Sequence, residues 1–257
     1  MCAELVAHEP VGTARHYATI VIVGGGCYGS YYLRQLRRAR EAGAISVEHV
    51  LVVDRHEACA VAAIVDAALG ERVERAEWSS FFAHYLAHSA DDDSTSADAI
   101  VPSPLMPHLM FEWLLQRARE RWPDRAVHTR PLARPPSMPW QQAAPDGTHY
   151  VSFAEWTCPI NCIEPPLCPE ISGPRTWSMP PALRAYVDAE RARGHPLIGP
   201  LIFHCEHRAY GVGMFDTAAV IEADRRIARE AAGGPSTVLV GTVSHCHGAL
   251  NVMAIGA

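Results

Sequence analysis

The chain has 257 residues and a formal net charge of −6, and all 22 of its cationic side chains are arginine because it contains no lysine. That length is enough for one sizeable core and too short for several, and the missing lysine excludes Schiff-base chemistry and a phosphate-loop lysine. A mildly acidic chain whose arginines are scattered over helix faces lacks the concentrated positive field that nucleic acid or anionic lipid requires, so no nucleic-acid partner is expected.

No apolar run reaches the ~18 residues of a membrane span, and the longest, Ala60 to Leu69, is interrupted by Asp66. Met1 to Pro10 carries Glu4 and His8 and shows no basic start followed by an apolar stretch, so no secretory signal is read and a cytoplasmic location is expected. Eight cysteines in a reducing compartment point to metal ligation or thiol chemistry rather than a disulfide framework.

In chain order, the β-branched run Ile20 to Val23 predicts a strand ending in glycines. A helical apolar spacing follows at Tyr32, Leu33, Leu36 and Ala39, with Gly43 as terminator. Val50 to Val53 predicts a second strand ending at Asp54, followed by a helix from Glu57 to Leu69 stopped by Gly70. Then come a short strand near Val73, a polar loop containing Asp91, Asp92 and Asp93, a strand at Ala99 to Val101 and a helix from Pro107 to Arg121. Between Pro131 and Pro181, where twelve of the 20 prolines fall, only Tyr150 to Phe153 reads as a strand. Residues 131–180 are read as an ordered insertion in a single domain spanning 1–257. Regular structure resumes with a helix from Pro180 to Arg193, a strand at Leu201 to Phe203, a helix from Thr217 to Ala231 and a strand at Thr237 to Val243. Strands separated by helices predict an α/β fold with one doubly wound, mostly parallel sheet.

The turn Gly24-Gly25-Gly26-Cys27-Tyr28-Gly29 has the form G-x-G-x-x-G, directly after a strand and at the start of a helix. In that context Gly24 permits the tight turn, Gly26 lets a pyrophosphate approach the backbone, and Gly29 allows close helix packing, with the helix N-terminus stabilising the anion. Asp54, 25 positions beyond Gly29, is placed for ribose hydroxyls and favours NAD over NADP, a preference that Arg55 weakens. On Gly24, Gly26, Gly29 and Asp54, the segment from Ala18 to Asp54 resembles the NAD(P)-binding Rossmann superfamily. The resemblance implies a dinucleotide site above the carboxyl ends of the strands and names no reaction. Cys27 is read as a small residue that fits the turn, not as a reactive thiol.

Cys158, Cys162 and Cys168 form a C-x3-C-x5-C run stiffened by prolines, a pattern suited to converging on a metal. His204-Cys205-Glu206-His207 and His245-Cys246-His247 follow predicted strands, and in one parallel sheet both would face the rim that holds the glycine turn. Extended geometry would put His245 and His247 on one face, with Cys205 and His207 paired in the same way. Proline-flanked thiols favour an iron–sulfur cluster, and the imidazoles favour zinc. Glu164, Glu206, Arg208 and Tyr210 are candidate proton donors or anion clamps, Asp216 reads as a helix cap, and Trp156 reads as packing or as a shield for a cluster.

Together these features predict a NAD(P)-dependent redox protein with a Cys/His metal centre. It would act on a small-molecule substrate or with a redox partner protein, although no Tyr-x-x-x-Lys pair can supply a short-chain-dehydrogenase base. The competing reading is a non-catalytic redox sensor or cofactor-delivery module.

Overall fold

The structure, a computed structural model, describes residues 14–91, 97–159 and 162–257; the expectations for Met1 to Pro10 and for Asp92 and Asp93 lie outside the described residues. The first half runs β1 (Arg15–Val23), α1 (Cys27–Glu41), β2 (Ile45–Asp54), β3 (Glu71–Arg75), α2 (Trp78–Asp91), β4 (Ala99–Val101), α3 (Leu109–Arg121) and β5 (Val127–Arg130). Then follow β6 (Trp140–Ala143), β7 (His149–Ser152), β8 (Leu167–Cys168), β9 (Gly173–Pro174) and α4 (Met179–Ala192). The chain ends with β10 (Ile198–His204), β11 (Glu206–Ala209), β12 (Val212–Asp216), α5 (Thr217–Glu230), β13 (Ser236–Val243) and β14 (His247–Ile255). No helix among the described residues is long and apolar enough to cross a membrane.

The fold is mixed α/β, and the expectation of one mostly parallel sheet is corrected to two mixed sheets and a short hairpin. The first sheet has the order β11-β12-β4-β1-β2-β3, and the second has the order β10-β13-β14-β7-β6 with β5 also on β14. β4, β1, β2 and β3 are mutually parallel, whereas β12 returns antiparallel to β4. In the second sheet β10 and β13 are parallel, and β14 runs back against β13. Turn length imposes these reversals, since Ser244–Cys246 is too short for the crossover that a parallel neighbour requires. The link between β11 and β12 is the two residues Tyr210 and Gly211, with φ of +43° and +81°, the positive pair demanded by a tight hairpin turn.

Strand periodicity explains the layering. Val21, Val23, Leu51, Val53 and Ile100 point from the first sheet into one core. Leu201, Phe203, Val238, Val240 and Met253 point into the same core from the second. Between them lie α2, α3 and α5, contributing Phe82, Leu86, Leu114 and Ile227. The alternate residues Ile20, Ile22, Val50 and Val52 pack on α1, and Leu239, Val243 and Leu250 pack on α4. The layers therefore run α1, first sheet, three helices, second sheet, α4. Phe203 on β10 stacks on Phe215 of β12, with ring centroids 5.5 Å apart, and joins the two sheets directly.

One helix expectation and one loop expectation are corrected. Glu57 to Leu69 forms two 3-10 turns, at Ala60–Ala63 and Ala67–Leu69, because its backbone groups find tertiary partners. The Val61 N–H donates to the Gly25 carbonyl at 3.0 Å, and Arg37 donates to the Ile64 carbonyl and to the buried Glu71 carboxylate. Conversely, α2 occupies much of what reads as polar loop; Phe82 and Leu86, four residues apart, bury its inner face.

Candidate functional site

The glycine turn closes the carboxyl end of β1. Gly24 has φ +90°, and its N–H donates to the Val53 carbonyl at 2.9 Å. A Cβ on Gly29 would lie 2.0 Å from the Gly24 carbonyl oxygen, so only glycine lets α1 approach this closely. Around Gly26 nothing lies within 4 Å of an added Cβ; Gly26 and Cys27 are exposed, and no side chain caps α1. The amide donors of its first turn are thus free to meet an anion.

The other side of the turn is filled. A Cβ on Gly25 would meet the Cys59 sulfur at 2.4 Å, and Val61 packs toward Gly29. The Asp54 carboxylate, 9% exposed, accepts from the Gly25 N–H at 2.7 Å through one oxygen and from the His56 N–H at 2.8 Å through the other. Asp54 thereby braces the turn; Arg55 is exposed and donates to the His56 ring at 3.1 Å.

The imidazole and thiol clusters collect elsewhere. The expectation that they share a sheet rim with the glycine turn is corrected, because β10 and β13 belong to the second sheet, where His204 is in register with Val243. Parallel neighbours that end together bring the His204 and His245 rings edge to face at 4.7 Å. The Cys205 N–H donates to the Val243 carbonyl at 2.7 Å, and the chain then crosses to the first sheet at Glu206. Cys205 and His207 both flank Gly213 of β12, at 3.6 and 3.7 Å from an added Cβ. The extended geometry expected for His245 to His247 is broken by the β13–β14 turn.

Glu164 holds that turn. Its carboxylate, in a residue only 7% exposed, accepts from Ser244 Oγ at 2.5 Å, His245 N at 2.7 Å and Cys246 N at 3.0 Å. Burial alone would raise its pKa, but these donors together with the nearby His207 outweigh burial and hold the carboxyl below its usual range. Because Glu164 is two residues from Cys162, the same clamp fixes the thiol loop against the histidine turn.

Each imidazole is oriented through Nδ1. His245 Nδ1 lies 2.8 Å from Ser178 Oγ, His247 Nδ1 3.0 Å from Ser152 Oγ, and His207 Nδ1 3.0 Å from the Gly211 carbonyl. A carbonyl only accepts, so His207 carries a proton on Nδ1. His204 Nδ1 is 3.5 Å from Glu206, while its buried Nε2 has no partner. Burial depresses the pKa values of His204, His245 and His247, keeping them neutral.

Cys158, Cys205 and Cys246 are protonated as they stand. Burial, then Cys162 and Cys168, pushes Cys158 up to about 11, and burial pushes Cys205 and Cys246 to about 12. Two sulfurs accept N–H donors: Cys162 from Glu164 N at 3.4 Å and Cys246 from the Trp177 indole at 3.3 Å. Cys168 is buried on β8. Among the described residues, no three His, Cys, Asp or Glu side chains converge as a ready ligand set.

Several other residues have settled roles. Asp216 stands at the N-cap of α5 but makes no capping bond; its carboxylate pairs with Arg208, which also donates to Glu206, so the cap expectation is corrected. Tyr210 is an exposed turn residue under the Arg38 guanidinium. Trp156 packs edge-on against Trp177 at 6.4 Å. Ser152, Ser178 and Trp177 were not found by sequence reasoning. Ser178 stands just before the proline-rich start of α4, a visible capping signal, but its histidine partner is 67 residues away.

Residues 110–256, more than half of the chain, match the AF_1314_C family, described as "Uncharacterized protein, C-terminal domain". The chain belongs to this family. No curated protein and no solved structure matches it. The AF_1314_C span contains all of the second sheet, the thiol loop and both histidine clusters, and it leaves the glycine turn outside.

Proposed function

We propose that this AF_1314_C protein is a cytoplasmic NAD(P)-dependent redox protein, an oxidoreductase on a small substrate, with a Cys/His metal centre where its two sheets meet. In this reading the first sheet is a Rossmann-like unit, supported by the parallel order β3-β2-β1-β4 and by the glycine turn between β1 and α1. The observation that carries the metal reading is the set of imidazoles anchored at Nδ1 by protein oxygens, with His204 Nε2 buried and unpartnered. This is the arrangement in which a second-sphere oxygen orients a ligand for a cation. Zinc or iron suits imidazole and thiolate together, and the cation's charge would lower the thiol pKa values that burial now raises.

On the nucleotide side, the open Gly26 and the uncapped α1 fit a pyrophosphate, while Asp54 braces the loop and keeps lone pairs for a ribose. When bound, the dinucleotide supplies hydride chemistry, and the metal supplies Lewis acidity or single-electron exchange. The chain itself orients the imidazoles through Ser178, Ser152 and the Gly211 carbonyl, and sets the Trp177 indole against the Cys246 sulfur.

The test is anaerobic purification with elemental analysis and a visible spectrum, comparing the wild type with His204→Asn/His245→Asn. Bound zinc or iron that the variant loses is the expected result. A folded wild type that takes up neither zinc nor iron on reconstitution removes the metal centre. The sensor or delivery reading is favoured by Cys59 and Val61 closing over Gly25; NAD binding without turnover of any substrate would select it.

A further inference from the structure

A groove of about 720 Å³ runs between α4 and the strap formed by residues 133–138, on the outer side of the second sheet. The strap is rigid and pinned. Pro135 and Pro136 fix its backbone, the Tyr186 hydroxyl donates to the Arg134 carbonyl at 2.6 Å, and the Arg134 guanidinium reaches Glu190 at 3.2 Å. Apolar surface from Met138, Phe153, Ala182 and Ala189 lines the groove, and Tyr186 adds an aromatic edge.

The charges along it do not balance. Glu190, only 5% exposed, is shared by two guanidiniums, Arg134 at 3.2 Å and Arg193 at 2.8 Å, each of them about half exposed. The His195 ring lies beside them, its Nδ1 2.7 Å from Arg134 and 3.9 Å from Glu190. One positive charge is left over at a preorganised pair of forks, an arrangement that recognises a planar or tetrahedral oxyanion.

The far wall of the groove is Phe153. Its N–H donates to the Cys246 carbonyl at 2.9 Å, its ring stacks on Trp177 at 6.2 Å, and the preceding Ser152 holds His247. The groove therefore backs onto the thiol–imidazole edge.

We infer that the groove between the strap and α4 binds a small molecule with an apolar body and an oxyanion head, a carboxylate or phosphate monoester, seated on Arg134 and Arg193. The volume lies within the range of small-ligand sites, and prolines on one wall reduce the ordering that binding requires. Binding itself is independent of the proposed metal; only the role of the occupant as substrate rests on that reading.

The experiment titrates the full chain with benzoate, phenyl phosphate and benzyl alcohol at low salt, followed by ligand-observed NMR. At least one of the two anions is expected to bind about tenfold more tightly than the neutral alcohol. The variant Arg134→Gln/Glu190→Gln/Arg193→Gln removes the forks without leaving a buried carboxylate unpaired, and it should erase that preference. Ala189→Trp fills the groove from its partly exposed side and should abolish binding of all three probes. Neither anion exceeding the alcohol in the wild type, or a preference that survives the triple variant, overturns the proposal. Metal content separates the two readings. Ala189→Trp should keep the metal, and His204→Asn/His245→Asn should keep the groove's anion preference.

Discussion

The glycine turn and the histidine–cysteine edge are both built at the ends of parallel strands, yet they are assembled in different ways. The turn is local. Gly24, Gly26 and Gly29 lie within six residues, and the partners that brace it, Val53 and Asp54, come from the adjacent strand. The edge is collected from distant chain: Glu164 reaches Ser244 across 80 positions, Ser178 reaches His245 across 67, and Ser152 reaches His247 across 95. A motif that closes within one β-α unit announces itself in sequence, whereas a site joined by long-range hydrogen bonds depends on the whole second sheet.

That contrast can be broken most forcefully at the joint between the sheets. Phe203→Ala empties a fully buried ring site against Phe215 and should cost about 3–5 kcal/mol in urea denaturation, loosening both regions together. Should unfolding then separate into two transitions, the sheets are independent units, and the comparison becomes one between two domains.

Glu164→Ala removes the acceptor of three hydrogen bonds in a buried place and should lower stability by about 2–4 kcal/mol. The amides of residues 244–246 should then lose protection from hydrogen exchange while those of residues 24–30 keep theirs. Equal loss in both segments would show that the edge is not held separately.

A smaller effect tests the first sheet alone. Tyr85 on α2 donates to Asp98 at 2.6 Å, and Asp98 also accepts from the Thr19 N–H of β1 at 2.9 Å. Burial, then Asp98, raises the Tyr85 pKa above its ordinary value. With the folded pKa above the unfolded one, the contribution is fully present below pH ~10 and is lost as pH rises above it. Tyr85→Phe should therefore cost about 1 kcal/mol at pH 7 and flatten the alkaline loss of stability. An unchanged alkaline limb would assign that loss to other groups.

The smallest change in stability should come from Gly26→Ala, whose φ of −79° and open surroundings accept a methyl group. Stability should shift by less than ~0.5 kcal/mol, while NAD affinity measured by calorimetry falls at least about tenfold, because the methyl occupies the pyrophosphate's approach. Unaltered affinity would move any nucleotide off this turn.

How much of the molecule was legible follows the same division. The strand at Ala99 to Val101 and the helices ending near Arg121, Arg193 and Ala231 were readable because period-2 and period-3.6 apolar patterns reflect local burial. Gly43 ended α1 as its left-handed φ of +68° requires. The stretch from Glu57 to Leu69 misled, since Arg37 and Gly25 take its backbone groups from outside the segment. The second sheet was only partly readable for a related reason: β7, β10 and β13 show as strands in sequence, whereas β5 and β6 are short strands in proline-rich or polar sequence that form by pairing with β14 and β7.

For the site, residue types were visible and their geometry was not. Five thiols and four histidines were marked as candidates; the Glu164 clamp, the Nδ1 anchors and the indole donor to Cys246 needed coordinates. By itself, the sequence determined most of the alternating strands and helices, the glycine turn and the stock of imidazoles and thiols, because these depend on residue type and on neighbours a few residues away. Tertiary structure decided which sheet each strand joins and which oxygen holds each imidazole, because those choices are made by partners tens of residues distant that only a folded core brings together.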